Sequence, residues 1–168
     1  MGDAVDRIVD QWREQRPDLD LSAMATFARL SQVAAQVTAI VAEVLARHGL
    51  RGGEFDVLAA LRRSGPPHIL IPSELSAVLM MSRAGMTNRI DRLEAAGLVE
   101  RHLDPADRRS FQISMTEHGR NVVDAAVTEY APKLSHILSG LSDEDRQSLD
   151  RALRALLGAI PSTPDQIH

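Results

Sequence analysis

The stretch that decides the fold is residues 82–115, SRAGMTNRIDRLEAAGLVERHLDPADRRSFQISM. Its first half is predicted to be a helix, because Ser82 is a suitable N-cap and Gly97 a suitable stop signal. Residues 98–103 and 110–115 alternate like two strands, and the polar turn DPADRR lies between them. A helix followed at once by an arginine-tipped hairpin is the arrangement of a winged helix-turn-helix, which indicates a DNA-binding protein.

The side chains of this stretch suit contact with double-stranded DNA. Arg83, Thr87 and Asn88 are predicted to contact base edges in the major groove, since the helix carries them on its polar side. Two further residues of the same segment, Ser82 and Arg92, are predicted to contact phosphates. The turn supplies Arg108 and Arg109, of which one is expected to enter the minor groove.

Charge and composition are compatible with this function and exclude others. The net charge is -4, but acidic residues gather near both ends while arginines dominate the middle of the chain. Cysteine is absent, which removes disulfides and thiolate metal sites, and no hydrolase or phosphate-loop motif is present. We therefore expect no catalytic activity, no cofactor and no metal. The polar N-terminus and the lack of a long apolar run predict a cytoplasmic protein that does not enter a membrane.

Apolar spacing predicts helices on both sides of the winged region. They are expected at residues 3–15, 21–48, 54–64, 72–80, 116–139 and 142–160, with a short strand possible at 69–71. The predicted fold is mainly α (α+β): a winged helix-turn-helix at 54–115 between long dimerisation helices at 1–53 and 116–168, in one compact domain overall. The flanking helices are apolar on one face, which favours a homodimer, and a dimer would present two recognition helices to a pseudo-palindromic operator.

The order of elements and the motif MTNRIDRLEAAGLVERHLDPADRRSFQISMTEHG at 86–119 resemble the MarR family of bacterial repressors. GEFDVLAALRRSGPPH at 53–68, PSEL at 72–75 and the added N-terminal helix are similar to its PecS-type, urate-responsive branch. The branch's ligand set is implied to fall on Trp12, Asp56, Arg63 and Arg89, and a further arginine implicated in the branch matches Arg101.

These residue types suit urate, a flat anion rich in amide groups. An arginine can neutralise it, a tryptophan can stack on it and a carboxylate can accept its ring N–H groups. Structural roles remain open for each position. Trp12 could be a core anchor, Asp56 and Arg63 could form an ion pair with each other, and Arg89 could bind a phosphate or an acid of its own domain.

The sequence thus predicts a dimeric transcriptional repressor whose operator binding is released by a small anionic effector, urate or a related purine. One alternative is a regulator of the same type that responds to a phenolic or other aromatic acid. A second, from another class, is a helical dimerisation module that acts through protein contacts without DNA.

Overall fold

The computed structural model describes residues 2–103 and 111–160. Its helices are α1 (Ala4–Gln15), α2 (Ser22–Arg47), α3 (Gly52–Arg63), α4 (Pro72–Val78), α5 (Arg83–Ala95), α6 (Glu117–Leu138) and α7 (Asp143–Ala159), and its strands are β1 (Ile69–Leu70), β2 (Val99–Leu103) and β3 (Phe111–Met115). This mostly helical chain with a small sheet confirms the predicted fold class. The chain forms two compact units, residues 1–43 and 44–168, with the boundary inside α2.

The N-terminal unit is held by a small apolar cluster and by charge. Val5, Val9 and Leu21 are buried together. Asp3 caps α1 by accepting hydrogen bonds from the backbone N–H groups of the first turn, and it also forms an ion pair with Arg29 of α2. Aspartate at a helix start is favoured by the unpaired N–H groups there, so one carboxylate both starts α1 and ties it to α2.

In the second unit, a three-stranded antiparallel sheet closes the winged region. The strand order is β1–β3–β2, with Leu70 opposite Ile113 and Leu103 opposite Phe111. The core beneath it comes from α2 to α6 and the sheet; its largest fully buried side chains are Leu45, Leu58, Leu61, Leu75, Met86, Ile90, Leu93 and Ile113. Each buried leucine or isoleucine contributes about 2 kcal/mol by leaving water, so this cluster holds the helix-turn-helix against the wing.

Where the structure departs from the predicted boundaries, local backbone chemistry explains the difference. Helix α4 ends at Val78 rather than Met80, because Met80 adopts a left-handed φ of 48°. Strand β1 stops at Leu70 because Ile71 is the N-cap of α4. Isoleucine cannot cap with its side chain, and Glu74 supplies the other half of a capping box by accepting the Ile71 N–H at 2.9 Å.

Within residues 2–103 and 111–160, no single helix is long and apolar enough to cross a membrane. Helices α2 and α3 reach the length and composition only when they are taken together as a bent pair.

Candidate DNA-binding surface and ligand site

Helix α5 presents the predicted DNA-contacting residues to solvent. Its N-terminus is fixed by Ser82, whose hydroxyl accepts the Gly85 N–H at 3.2 Å. Met86, Ile90 and Leu93 are buried on one face, and the chain leaves the helix through Gly97 at a φ of 69°. Burial of one face turns the opposite face outward.

Three residues predicted to contact bases lie on that outward part of α5. Arg83, Thr87 and Asn88 are all exposed. The Thr87 hydroxyl donates to the Arg83 carbonyl at 3.0 Å, within the helix. The side chains of Arg83 and Asn88 have no partner among the described residues. These groups can therefore bind a partner molecule without breaking an internal bond.

Arg92, by contrast, is engaged inside the protein. Its Nε donates to Glu54 Oε1 at 2.6 Å, and Glu54 is the one buried charged residue in the described part of the chain. Glu54 Oε2 accepts the Arg51 backbone N–H at 2.9 Å, so it also caps α3. Burial opposes ionisation of Glu54, but the bonds from Arg92 and the Arg51 backbone outweigh it, and its pKa lies below the ordinary value. The predicted phosphate contact of Arg92 stays a prediction.

Arg89 and Asp56, two members of the predicted ligand set, are brought together. Arg89 Nη1 lies 3.9 Å from Asp56 Oδ2 and donates a long hydrogen bond of 3.4 Å to the Gly53 carbonyl. The guanidinium lies directly over Gly53, where a Cβ atom would come within 2.3 Å of Arg89 Cζ. The sequence left open that Arg89 binds a phosphate or an acid of its own domain. The structure contains the second of these contacts, with Asp56 as the acid.

Arg63 does not form the ion pair with Asp56 that the sequence left open, because the described partner of Asp56 is Arg89. Arg63 is exposed at the end of α3 and lines a cleft of about 260 Å³ between α3 and α6. Trp12 lies on α1 in the N-terminal unit with 47% of its surface exposed, whereas Val5 and Val9 supply the buried face of that helix.

The α3–α6 cleft is a feature that the sequence analysis did not find. It is lined by Phe55, Ala59, Arg62, Arg63, Val123, Asp124, Val127 and Tyr130. Phe55 and Tyr130 meet edge to face with ring centroids 5.5 Å apart. Arg62 is held by Asp124 at 2.8 Å, which leaves Arg63 as the cation without a described partner at the cleft. The helical spacing of apolar residues predicts which faces of α3 and α6 turn towards each other. It does not show that the two faces leave a cleft between them.

Arg101 contacts the recognition helix from the wing. Its guanidinium pairs with Asp91, and its Nη1 lies 3.3 Å from Glu94. Arg108 and Arg109 fall outside the described residues, so their wing-tip contact stays a prediction. No group of residues able to hold a metal ion occurs in the described part of the chain.

Comparisons with known proteins agree with this architecture. A MarR family model matches residues 48–110. The transcriptional regulator PecS of Dickeya dadantii (strain 3937) is 38% identical over 156 residues, which cover 93% of this chain and 92% of the relative. The transcriptional repressor MprA of Escherichia coli (strain K12) is 30% identical and covers 70% of this chain, with 66% of its own length matched.

Solved structures show the same fold. AbsC, a MarR family transcriptional regulator from Streptomyces coelicolor, matches with a TM-score of 0.74 at 24% identity, over 83% of this chain and 95% of its own. A MarR variant from E. coli in complex with operator DNA matches with a TM-score of 0.71 at 24% identity, over 82% and 97% of the two chains. The protein is thus a winged helix-turn-helix regulator of transcription, not an enzyme. It belongs to the MarR family.

Proposed function

We propose that this protein is a homodimeric repressor that binds a pseudo-palindromic operator and is released by a small anionic ligand, urate or a related purine. One observation carries the proposal. Helix α5 bears the exposed DNA-contacting face and, on its flank, Arg89 in a weak contact with Asp56. A ligand that binds at that flank acts on the helix that binds DNA.

The DNA-binding part of the proposal assigns roles along α5 and the wing. Arg83, Thr87 and Asn88 contact base edges, and Ser82 contacts a phosphate. Arg108 or Arg109, in the segment between β2 and β3, enters the minor groove. The solved MarR relative in complex with operator DNA supports this arrangement, since its fold matches over most of the chain.

The apolar surface of α6 and α7 supports the dimer. Helix α7 contains no buried residue, and large apolar side chains of both helices and of the connection between them face solvent: Ile137, Leu138, Leu141, Leu149 and Leu157. Leu157 is 72% exposed. Exposed apolar side chains in this number are costly in water, and a second copy of the chain is the partner that a palindromic site requires.

The ligand-binding part rests on how weakly Arg89 is held. Asp56 is 53% exposed and its closest approach to Arg89 is 3.9 Å, so the pair contributes at most about 1 kcal/mol. An anionic heterocycle with N–H donors could bind Arg89 and present those donors to Asp56, which would replace the pair with stronger charge-assisted hydrogen bonds. We include Trp12 as the stacking partner and Arg63 as a second cation, on the strength of the resemblance to the PecS-type branch.

A second ligand class is favoured by the α3–α6 cleft. Its volume of about 260 Å³ suits one small aromatic molecule, and Phe55 and Tyr130 offer ring contacts. Arg63 at the rim can pair with a carboxylate. A phenolic or other aromatic acid is therefore the alternative effector.

Fluorescence anisotropy of labelled DNA from upstream of the protein's own gene tests both proposals. The protein should bind the DNA tightly as a dimer, and urate should reverse the binding in wild type but not in Arg89→Ala. Release by an aromatic acid that Tyr130→Ala abolishes and Arg89→Ala preserves would support the cleft instead. Release by urate in Arg89→Ala would rule out the Arg89 site, and absence of salt-sensitive DNA binding would leave a dimerisation module acting through protein contacts.

A further inference from the structure

The two flanks of α5 carry opposite charges, and each flank is held by a different element. Arg89 and Arg92 face the first turns of α3, where they contact Asp56 and Glu54. On another side of the helix, Asp91 and Glu94 both pair with Arg101 of β2. Residues three apart lie on the same side of a helix, so each flank presents one charge type to one neighbour.

The two contacts on the α3 side differ in strength. Arg92 Nε is 2.6 Å from Glu54, whose side chain is only 10% exposed, whereas Arg89 is 3.9 Å from Asp56, whose side chain is 53% exposed. The arginines differ in the opposite sense, with 46% of Arg92 and 27% of Arg89 exposed, so the short distance and the burial of Glu54 distinguish the first pair. Solvent screens the second contact and scarcely reaches the carboxylate of the first. The Glu54–Arg92 pair is thus fixed, and the Asp56–Arg89 pair is easily opened.

Glu54 is suited to a fixed role because both of its oxygens are used. One accepts Arg92 and the other accepts the Arg51 N–H at the start of α3. The side chain therefore joins the backbone of α3 to the last turn of α5, where Arg92 lies. Loss of Arg92 would leave a largely buried carboxylate without its charged partner, which is unfavourable.

We propose that the Glu54–Arg92 pair sets the orientation of α5 on α3, and that Arg92 is a positioning residue rather than a phosphate contact. The inference rests on the proposed binding of DNA by α5.

The test measures affinity for the upstream fragment and for an unrelated duplex of equal length, at several salt concentrations. The variants are Arg92→Gln, Glu54→Gln, the double variant, and Arg151→Gln, which removes a positive charge from α7 as a control. Arg151 has its described hydrogen bond to Ser148 on its own helix. Glutamine at 54 can still accept the Arg51 N–H, so the cap of α3 is retained.

We expect each single substitution to weaken binding to the upstream fragment about tenfold, or about 1.4 kcal/mol. The double variant should bind the upstream fragment little more weakly than either single variant, because both substitutions remove the same contact. Binding to the unrelated duplex and the slope of log K against log salt should match those of wild type and of Arg151→Gln, because no phosphate contact is lost.

Three results would overturn the inference. A salt slope shallower by about one in Arg92→Gln would assign Arg92 to a phosphate. Equal weakening of Arg92→Gln on the upstream fragment and on the unrelated duplex would also assign Arg92 to a phosphate. Unchanged or tighter DNA binding by Glu54→Gln would show that Glu54 only keeps Arg92 away from DNA. If Glu54→Gln melts below the assay temperature, the test rests on Arg92→Gln alone: its slope of log K against log salt and its preference for the upstream fragment decide between a positioning role and a phosphate contact. Failure of wild type to bind either duplex would instead refute the proposed function.

Discussion

Replacement of Gly53 by alanine should disconnect the ligand from the recognition helix while leaving the fold intact. A Cβ atom at this position would lie 2.3 Å from Arg89 Cζ, 2.4 Å from Nε and 2.7 Å from Nη2. Ordinary contacts between such atoms begin near 3.5 Å, so the guanidinium must move by about 1 Å or more. The displaced group is the end of a flexible side chain, and it can leave Asp56 without moving the backbone of α3.

The magnitudes separate stability from response. Arg89 gives up a 3.4 Å hydrogen bond and a 3.9 Å ion pair, together worth about 1 kcal/mol at most. Alanine is preferred over glycine in a helix by up to about 1 kcal/mol, which offsets that loss. A misplaced arginine, however, weakens a charge-assisted bond to the ligand worth about 1.5–3 kcal/mol, or roughly ten- to a hundredfold in the urate concentration needed for release.

The assay is anisotropy of the upstream DNA fragment, titrated with urate, together with thermal unfolding. Gly52→Ala is the matched control, because an alanine there has nothing within 4 Å. We expect Gly53→Ala to bind DNA and melt like wild type, to respond poorly to urate, and to add nothing to the effect of Arg89→Ala. A normal urate response in Gly53→Ala would refute the assignment of Arg89 to the ligand.

Three further outcomes are expected. Gly119→Ala should lower the free energy of unfolding by about 2 kcal/mol in chemical denaturation, because its Cβ would lie 2.1 Å from the backbone oxygen of Leu98. Glu129→Gln should be less stable than wild type at pH 7, and the difference in the free energy of unfolding should fade below pH 4.5. Hydrogen bonds from Arg47 and then His48 hold the pKa of Glu129 below its ordinary 4.5. The stabilising ionised form of Glu129 is therefore lost as the pH falls through this lowered pKa. Leu157→Glu should shift the protein from dimer to monomer in analytical ultracentrifugation, since it would place a charge in the proposed apolar interface.

Each of these has a check that separates it from a general loss of folding. Gly158→Ala, at a helical position with nothing within 4 Å, should be neutral or slightly stabilising where Gly119→Ala is destabilising. A stability gap for Glu129→Gln that is the same at pH 3.5 and pH 7 would contradict its electrostatic origin. A Leu157→Glu variant that stays dimeric at micromolar concentration would remove α7 from the interface.

Local sequence signals predicted the elements of the winged region well, because caps act over a few residues. The sequence predicts helix starts at Ser82 and at residue 116, and the hydroxyls of Ser82 and Thr116 each accept a backbone N–H from three residues later. Gly97 was identified as a stop and has the left-handed φ that such a stop requires. These features depend on the chain's immediate neighbours, which sequence reasoning can see.

The tertiary partners of the charged residues could not be predicted in the same way. Arg92 binds Glu54 across 38 positions, and Arg101 binds Asp91 across the turn from helix to strand. An arginine that pairs within the protein and one that does not are identical in sequence, so the Glu54–Arg92 pair could not be predicted. The cleft at Phe55 and Tyr130 depends on how two helices are spaced, which side-chain periodicity does not contain.

The division of charge on α5 has a consequence for how such a regulator can change its target. Arg83 and Asn88 have no described internal partner, so substitutions there should cost the fold little, and under the proposed base contacts they should alter which bases are preferred. Asp91 and Arg92 are each tied to a residue on another element and cannot change alone without loss. If the proposed roles hold, operator preference and effector response can diverge separately within one helix, and exchange of Arg83, Thr87 and Asn88 alone should retarget the protein while release through Arg89 is preserved.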